Sequence, residues 1–236
     1  MKLVERKWWA MRRTRQTCLL SCKNKIDSSV YFLAAASQGA QIPAMSTIET
    51  TSPKRAHLMA TARRLFYRDG YRVVGIDTLL AEAKVAKMTL YNHFASKEDL
   101  IVAVIEQQDQ EVRAALTAAV AAASRSPARQ LQAAFDWLQG WFESNDFKGC
   151  AFIRAFSEYP EPGHPIHRAA ARHKQAVNAM LLAIVTAAGA KHPVELANTL
   201  SLLVDGAILS AHTTGSSASA MTARGAAATL LKHATA

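Results

Sequence analysis

The stretch KMTLYNHF, residues 87–94, places two aromatic rings, a histidine, a lysine, a threonine and an asparagine within eight positions. What it means depends on which of these side chains turn inward. Leu90 and Phe94 stand four apart, so on a helix they share one face, and Val85 can join them. That leaves Lys87, Met88, Thr89, Tyr91 and Asn92 on the outward side, with His93 near the edge. A helix this short is marginal alone in water, so its neighbours must hold it. Held there, its hydroxyl, amide and ammonium groups form a rigid surface suited to phosphates and to base edges in a major groove. A plain core helix is a poor alternative, because it would not spend Lys, Thr, Asn and His on consecutive turns. A catalytic site would need a nucleophile–base pair or a metal set, and His93 has no evident partner for either.

The flanks supply the neighbours. Ser52 and Pro53 read as a helix entry, with a hydroxyl cap followed by proline where its missing N–H costs nothing. Leu58, Ala62, Leu65 and Phe66 then form one apolar stripe, and Gly70 stops the helix. Lys54, Arg55, Arg63, Arg64 and Arg68 occupy other positions and read, singly, as a solvated basic face. A second helix opens near residues 75–77, with Ile76, Leu79, Leu80 and Ala83 inward. Residues 84–86 make the turn, and the octet forms the third helix. Ser96, with Asp99 three residues on, opens a fourth helix whose apolar side is Leu100, Ile101, Val104 and Ile105. Helix, tight turn and short polar helix make the helix-turn-helix arrangement, in which the second helix lies in the DNA groove.

Composition sets the limits. Half of the 236 residues are apolar and 19% are charged, which suits a globular chain and excludes a disordered one. Alanine-rich runs and the lack of alternating strand patterns with hairpin signals favour an all-α fold. No apolar run approaches the length of a membrane span, so no membrane partner is expected. The formal net charge of +10 suits an anionic partner. Residues 1–50 hold eight Lys/Arg against three acids and show no sustained helical period. They are expected to be a poorly ordered basic leader, or upstream sequence ahead of a true start at Met45. Their apolar piece, residues 30–36, is too short and too far from the N-terminus for a secretory signal. Three cysteines, Cys18, Cys22 and Cys150, make no disulfide framework and suit the reducing cytoplasm. Cys18 and Cys22 lack two further ligands for zinc.

Beyond residue 110 the chain stays helical. Residues 124–127, SRSP, break it. Leu131, Phe135, Leu138 and Phe142 then form a stripe, with Trp137 and Trp141 beside it. Residues 144–149 and 159–165 read as loops, the second by its prolines and glycine. A short helix between them carries Phe152, Ile153 and Phe156, and a long one follows to about Gly189. Two apolar, alanine-rich helices end the chain, the first opened by Pro193 and the second spanning residues 218–232. They either close this domain's own core or pair between subunits. His164, His167 and His173 sit at irregular spacing with no carboxylate cluster, so no metal or other cofactor is expected. Cys150 reads as a small buried thiol.

The string GIDTLLAEAKVAKMTLYNHFASKEDL, residues 75–100, resembles the helix-turn-helix of the TetR family of bacterial transcriptional regulators. The specific part begins at Val85, and ATARRLFYRDGY, residues 60–71, is similar to the family's first helix. The resemblance implies an all-α chain, with an N-terminal three-helix DNA-binding domain over residues 52–112 and the motif itself at 75–94. A helix joins this to a C-terminal ligand-binding and dimerisation domain over residues 113–236. It also implies that Lys87, Met88, Thr89, Tyr91, Asn92, His93 and Lys97 meet double-stranded DNA. Of these, Tyr91, His93 and Lys97 are expected at the backbone, and Met88, Thr89 and Asn92 nearest the bases. The family pairs through its last two long helices, which implies a homodimer with Leu196, Leu200, Leu203, Ile208 and Leu230 at the interface. The family's second domain binds a small inducer, so Trp137, Trp141, Cys150, Phe152, Phe156 and Met180 become candidates for a largely apolar pocket. The implied function is a cytoplasmic, non-enzymatic, ligand-released repressor on a near-palindromic operator. The alternative is a ligand-independent, architectural DNA-binding protein, which an apolar cavity or sharp operator specificity would count against. A helical enzyme using the second domain is a further rival without a legible catalytic set. One residue departs from the family pattern: Lys84 stands where glycine is usual in the turn.

Overall fold

The computed structural model describes residues 52–123 and 125–236; the expected leader, with Cys18, Cys22 and Met45, lies outside them. Regular structure among the described residues is entirely helical. The first half comprises α1 (Pro53–Asp69), α2 (Ile76–Ala83), α3 (Lys87–Tyr91) and α4 (Lys97–Ala123). The second comprises α5 (Pro127–Phe142), α6 (Ala151–Glu158), α7 (Pro165–Ala187), α8 (Pro193–Thr214) and α9 (Ala218–Thr235).

Helix α1 begins at proline, but the Ser52 hydroxyl makes no capping bond, contrary to expectation. The Ser52 carbonyl instead accepts from the Ala56 N–H at 3.0 Å. Ser96 does act as a cap, its hydroxyl accepting from the Asp99 N–H at 3.0 Å. The turn after α2 is left-handed at Lys84, with φ 52° and ψ 44°. The Lys84 N–H reaches the Ala81 carbonyl and the Val85 N–H reaches Leu80, which together close the helix as a Schellman motif. Val85 and Leu80 both pack against the core and supply the apolar contact of that motif. Lysine therefore occupies a conformation in which its Cβ is strained.

The octet is shorter as a helix than expected. Only residues 87–91 are helical, and residues 92–93 form a turn. Helical-type bonds nevertheless continue, from the Asn92 N–H to Met88 and from the Phe94 N–H to Leu90, both at 2.9 Å. Helix α4 is longer than expected, 27 residues without interruption. The boundary drawn at 112/113 falls inside it, so one rigid element serves both halves. Leu100, Ile101, Val104 and Ile105 are buried near its start, and Leu116 and Val120 near its end.

In the second half α8 packs against α7 and α9, and α9 also against α5. Helix α8 is the one helix among the described residues long and apolar enough to cross a bilayer. Glu195 and Asp205 interrupt it, so it holds no uninterrupted apolar run of that length. Its Leu196, Ala197, Leu200, Ala207, Ile208 and Ala211 are buried within the protein, as in a core helix. This corrects the intersubunit assignment of Leu196, Leu200 and Ile208: these side chains are already covered by their own chain. Leu203 and Leu230 are half-buried. The apolar side chains that α8 leaves exposed are Val194, Leu202 and Leu209.

A polar cluster crosses the interior where α4, α6 and α7 meet. His173 is 5% exposed and lies flat against Phe152, with ring centroids 3.6 Å apart and planes within 7°. Its Nδ1 bonds Asp109 at 2.8 Å, and Asp109 takes two further bonds from the Arg113 guanidinium at 2.8 Å each. Burial pushes the His173 pKa down, and the hydrogen bond to Asp109 only partly offsets this; Lys174 and Arg113 add to the lowering. Burial acts to raise Asp109, but bonds from Arg113 and His173 outweigh it and hold the carboxyl low.

Relieving the strained turn is expected to stabilise the protein. Lys84→Gly should raise the unfolding free energy by about 1 kcal/mol in a denaturant titration, whereas Lys84→Ala should not. The buried histidine sets a pH dependence. Because its folded pKa lies below the ordinary 6.5, the unfolded chain takes up the proton first as the pH falls. Its contribution is complete above about pH 6.5 and is lost below it, whereas that of Asp109 is lost only below its ordinary 3.8. Between about pH 6.5 and pH 5 the wild-type urea midpoint should fall, and in His173→Gln that fall should shrink.

Candidate nucleic-acid interface

The short α3 is oriented by two buried side chains. Leu90 is wholly buried and Phe94 is 5% exposed, both in the core formed with Leu58, Leu65 and Leu79. Burying one leucine of this kind contributes about 1.5–3 kcal/mol, more than a single helical turn can supply for itself. The Arg55 guanidinium covers the Phe94 ring at 4.9 Å from its centroid. The His57 ring bonds the Ala83 carbonyl at 3.0 Å, tying α1 to the end of α2. These two contacts were not legible in the sequence, where Arg55 read as part of a solvated basic face and nothing singled out His57.

The opposite side of α3 faces outward. Met88 is 71% and Tyr91 44% exposed. Lys87 and Asn92 are exposed, while Thr89 and His93 are half-buried. The exposed Lys84 precedes them in the turn. Lys97, at the start of α4, is half-buried, and its ammonium donates to the Arg72 carbonyl at 3.1 Å. Burial pulls its pKa down, and Glu98 and Glu158 oppose that shift. All seven residues expected at DNA thus lie on α3, the turn after it, or the first turn of α4.

Three of the arginines on α1 are occupied elsewhere. Arg63 pairs with Glu111, Arg64 with Glu82 and Arg68 with Asp69. Exposed, solvent-screened pairs of this kind contribute little to stability. They do lower the net positive charge of the outer side of α1.

The residues expected to line a pocket fall into separate contacts. Trp137 stacks on Trp141, which meets Phe147 edge-on at 5.0 Å. Phe152 is covered by His173, and Phe156 meets the edge of His167. Cys150 is a buried free thiol whose pKa burial pushes up. Met180 is half-buried against the core. A depression of about 140 Å³ opens instead between α5 and α9, lined by Leu131, Phe135, Arg224, Leu231 and neighbours. None of the six expected residues lines it. The histidines near the start of α7 are engaged: His164 accepts from the Ile166 N–H, and the His167 ring bonds the Tyr159 carbonyl.

A three-helix unit with an exposed polar side on its short third helix defines a helix-turn-helix DNA-binding protein. The profile of bacterial regulatory proteins of the tetR family matches residues 58–104. A TetR-family transcriptional regulator from Streptomyces coelicolor superposes with a TM-score of 0.74 at 34% identity, covering 78% of this chain and 96% of that one. The HTH-type transcriptional regulator YjdC of Escherichia coli is 22% identical over 66% of this chain and 81% of its own length. The HTH-type transcriptional repressor DhaR of a Mycobacterium species is 30% identical over 42% of this chain and 48% of its own. The chain belongs to the TetR family of DNA-binding transcriptional regulators.

Proposed function

We propose that this regulator is a cytoplasmic, ligand-released repressor that binds a near-palindromic operator as a homodimer. The outward side of α3 carries the proposal: Met88 and Tyr91 stand in solvent while Leu90 and Phe94 are held in the core. The DNA face consists of Lys87, Met88, Thr89, Tyr91, Asn92, His93 and Lys97. Tyr91, His93 and Lys97 grip the backbone, and Met88, Thr89 and Asn92 lie nearest the bases. The DNA-binding part is residues 52–112 and the regulatory part 113–236, with α4 common to both.

Pairing through α8 and α9 is supported by what these helices leave uncovered. Leu202 and Leu209 are 73% and 57% exposed, seven residues apart on one face, and Met221 on α9 is 40% exposed. Gly206 lies between the two leucines, and Gly225 follows Met221 by one turn. Small residues at these positions let a second pair of helices approach closely. A two-fold dimer presents two copies of α3 to half-sites one DNA turn apart, ~34–36 Å. Repression matches the name of the related DhaR. The inducer we infer is small and largely apolar, to match the apolar candidates Trp137, Trp141, Cys150, Phe152, Phe156 and Met180. It acts through its differential affinity for two spacings of the recognition helices.

With an operator selected from random duplexes, Tyr91→Ala should weaken binding across all sequences. Asn92→Ala should relax preference at its contacted base by about 1–3 kcal/mol, read as competition between operator variants. Wild-type affinity in both variants would remove α3 from the interface. The double substitution Leu202→Glu, Leu209→Glu should yield a folded monomer by light scattering and circular dichroism. Leu200→Glu should instead destabilise the chain by about 3 kcal/mol or more, since it buries an unpaired charge.

A further inference from the structure

The end of α1 is held by α6 through a set of polar bonds that join distant parts of the chain. Arg154, midway along α6, donates to the Phe66 and Tyr67 carbonyls at 3.2 and 3.1 Å, capping α1 with a positive charge. The Tyr71 hydroxyl donates to the Ala151 carbonyl at 3.1 Å. The Tyr67 hydroxyl donates to the Gly149 carbonyl and accepts from the Lys148 N–H, both at 2.9 Å.

The last residue of α6, Glu158, holds the backbone just after Gly70. One carboxylate oxygen accepts from the Tyr71 N–H at 3.1 Å, and the other from the Arg72 N–H at 2.6 Å. The Glu158 carbonyl accepts from the Arg72 guanidinium at 2.6 Å, and that guanidinium lies 4.9 Å over the Tyr159 ring. Gly70 makes room for this arrangement. Its φ is 103°, and a Cβ there would stand 2.9 Å from the nearer carboxylate oxygen. The peptide that follows, Arg72–Val73, then holds Lys97, whose ammonium donates to the Arg72 carbonyl.

We propose that Glu158 is a positioning residue for DNA binding: by bracketing the Tyr71 and Arg72 N–H groups it fixes the carbonyl that aims Lys97. An ammonium has three donors, so one spent on Arg72 leaves two for a phosphate. Lysine carries about 2 kcal/mol of side-chain entropy, and an aimed ammonium has lost part of it before DNA arrives. Helix α6 belongs to the regulatory half and packs on α7. Its last residue therefore gives that half a hold, through the Arg72 backbone, on the lysine proposed to meet DNA, separate from the continuous helix α4.

The proposal rests on Lys97 meeting a phosphate, and the experiment separates the two claims. The full-length protein, with Glu158→Gln, Lys97→Ala and both together, is titrated with the selected operator over a range of salt concentrations. Glutamine keeps the size but offers one acceptor oxygen where two N–H groups need them. Glu158→Gln should weaken binding about tenfold. It should also lower the salt slope together with Lys97→Ala, by about 0.9 for each phosphate no longer neutralised. The double variant should bind no more weakly than Lys97→Ala alone. Glu158→Asp keeps the charge but is too short to bracket both groups, and should lose affinity in the same direction. Melting curves confirm that each variant is folded at the assay temperature. A folded Glu158→Gln with wild-type affinity and slope, or losses that add in the double variant, overturns the positioning role while Lys97 stays at the interface. Unchanged binding and slope in Lys97→Ala overturns both.

Discussion

The DNA-facing end of this molecule depends on two side chains, Leu90 and Phe94, anchoring a helix too short to exist alone. A single turn forms fewer bonds than it needs to offset its ordering cost. The compensation comes from the core of α1, α2 and α4, into which both side chains are sunk. Because they are four residues apart, their burial leaves Met88 and Tyr91 no inward position. Exposure of these side chains is therefore a consequence of packing on the other side. The left-handed Lys84 and the Arg55 cover on Phe94 serve the same end, one setting the angle of entry and the other closing the ring's open face.

Two connections join this end to the rest of the chain. Helix α4 runs unbroken through both halves, so a tilt at one end is transmitted to the other. Helix α6 reaches the end of α1 through peptide carbonyls, tyrosine hydroxyls and the Glu158 carboxylate. The first connection is apolar and continuous in sequence, while the second is polar and bridges about eighty residues. Within the C-terminal half, α7 makes several of the ionic ties: Arg172 and His173 hold α4, and Lys174 holds Asp205 on α8. Three consecutive residues thereby tie one helix to two neighbours. Any movement of α7 must break charge-assisted bonds as well as apolar contacts.

The first half was legible because its signals are local. Apolar spacing, the Ser96 cap and the Gly70 stop each act within one or two turns, and together they placed α1 to α4 in order. The bounds of α3 were less so, since residues 92–93 keep helical-type bonds while departing from the helix. The second half was legible as helices but not as surfaces. Leu200 and Leu202 are both leucines on one apolar helix, yet the first is wholly buried and the second is 73% exposed. Their rotation about the helix axis is set by α7 and α9, which spacing along α8 does not encode. Trp137, Trp141 and Phe152 likewise read as a possible lining, and only contact with Phe147 and His173 showed what they pack against.

By itself the sequence determined the helical class, the helix-turn-helix and the side chains its third helix presents outward, because these follow from periodicity and capping between near neighbours. The tertiary structure alone decided which leucines of α8 belong to the core, how Asp109, His173 and Phe152 come together, and that Glu158 holds the turn before α2. Those contacts join residues far apart in the chain, and their partners are chosen by how whole helices pack rather than by any local pattern.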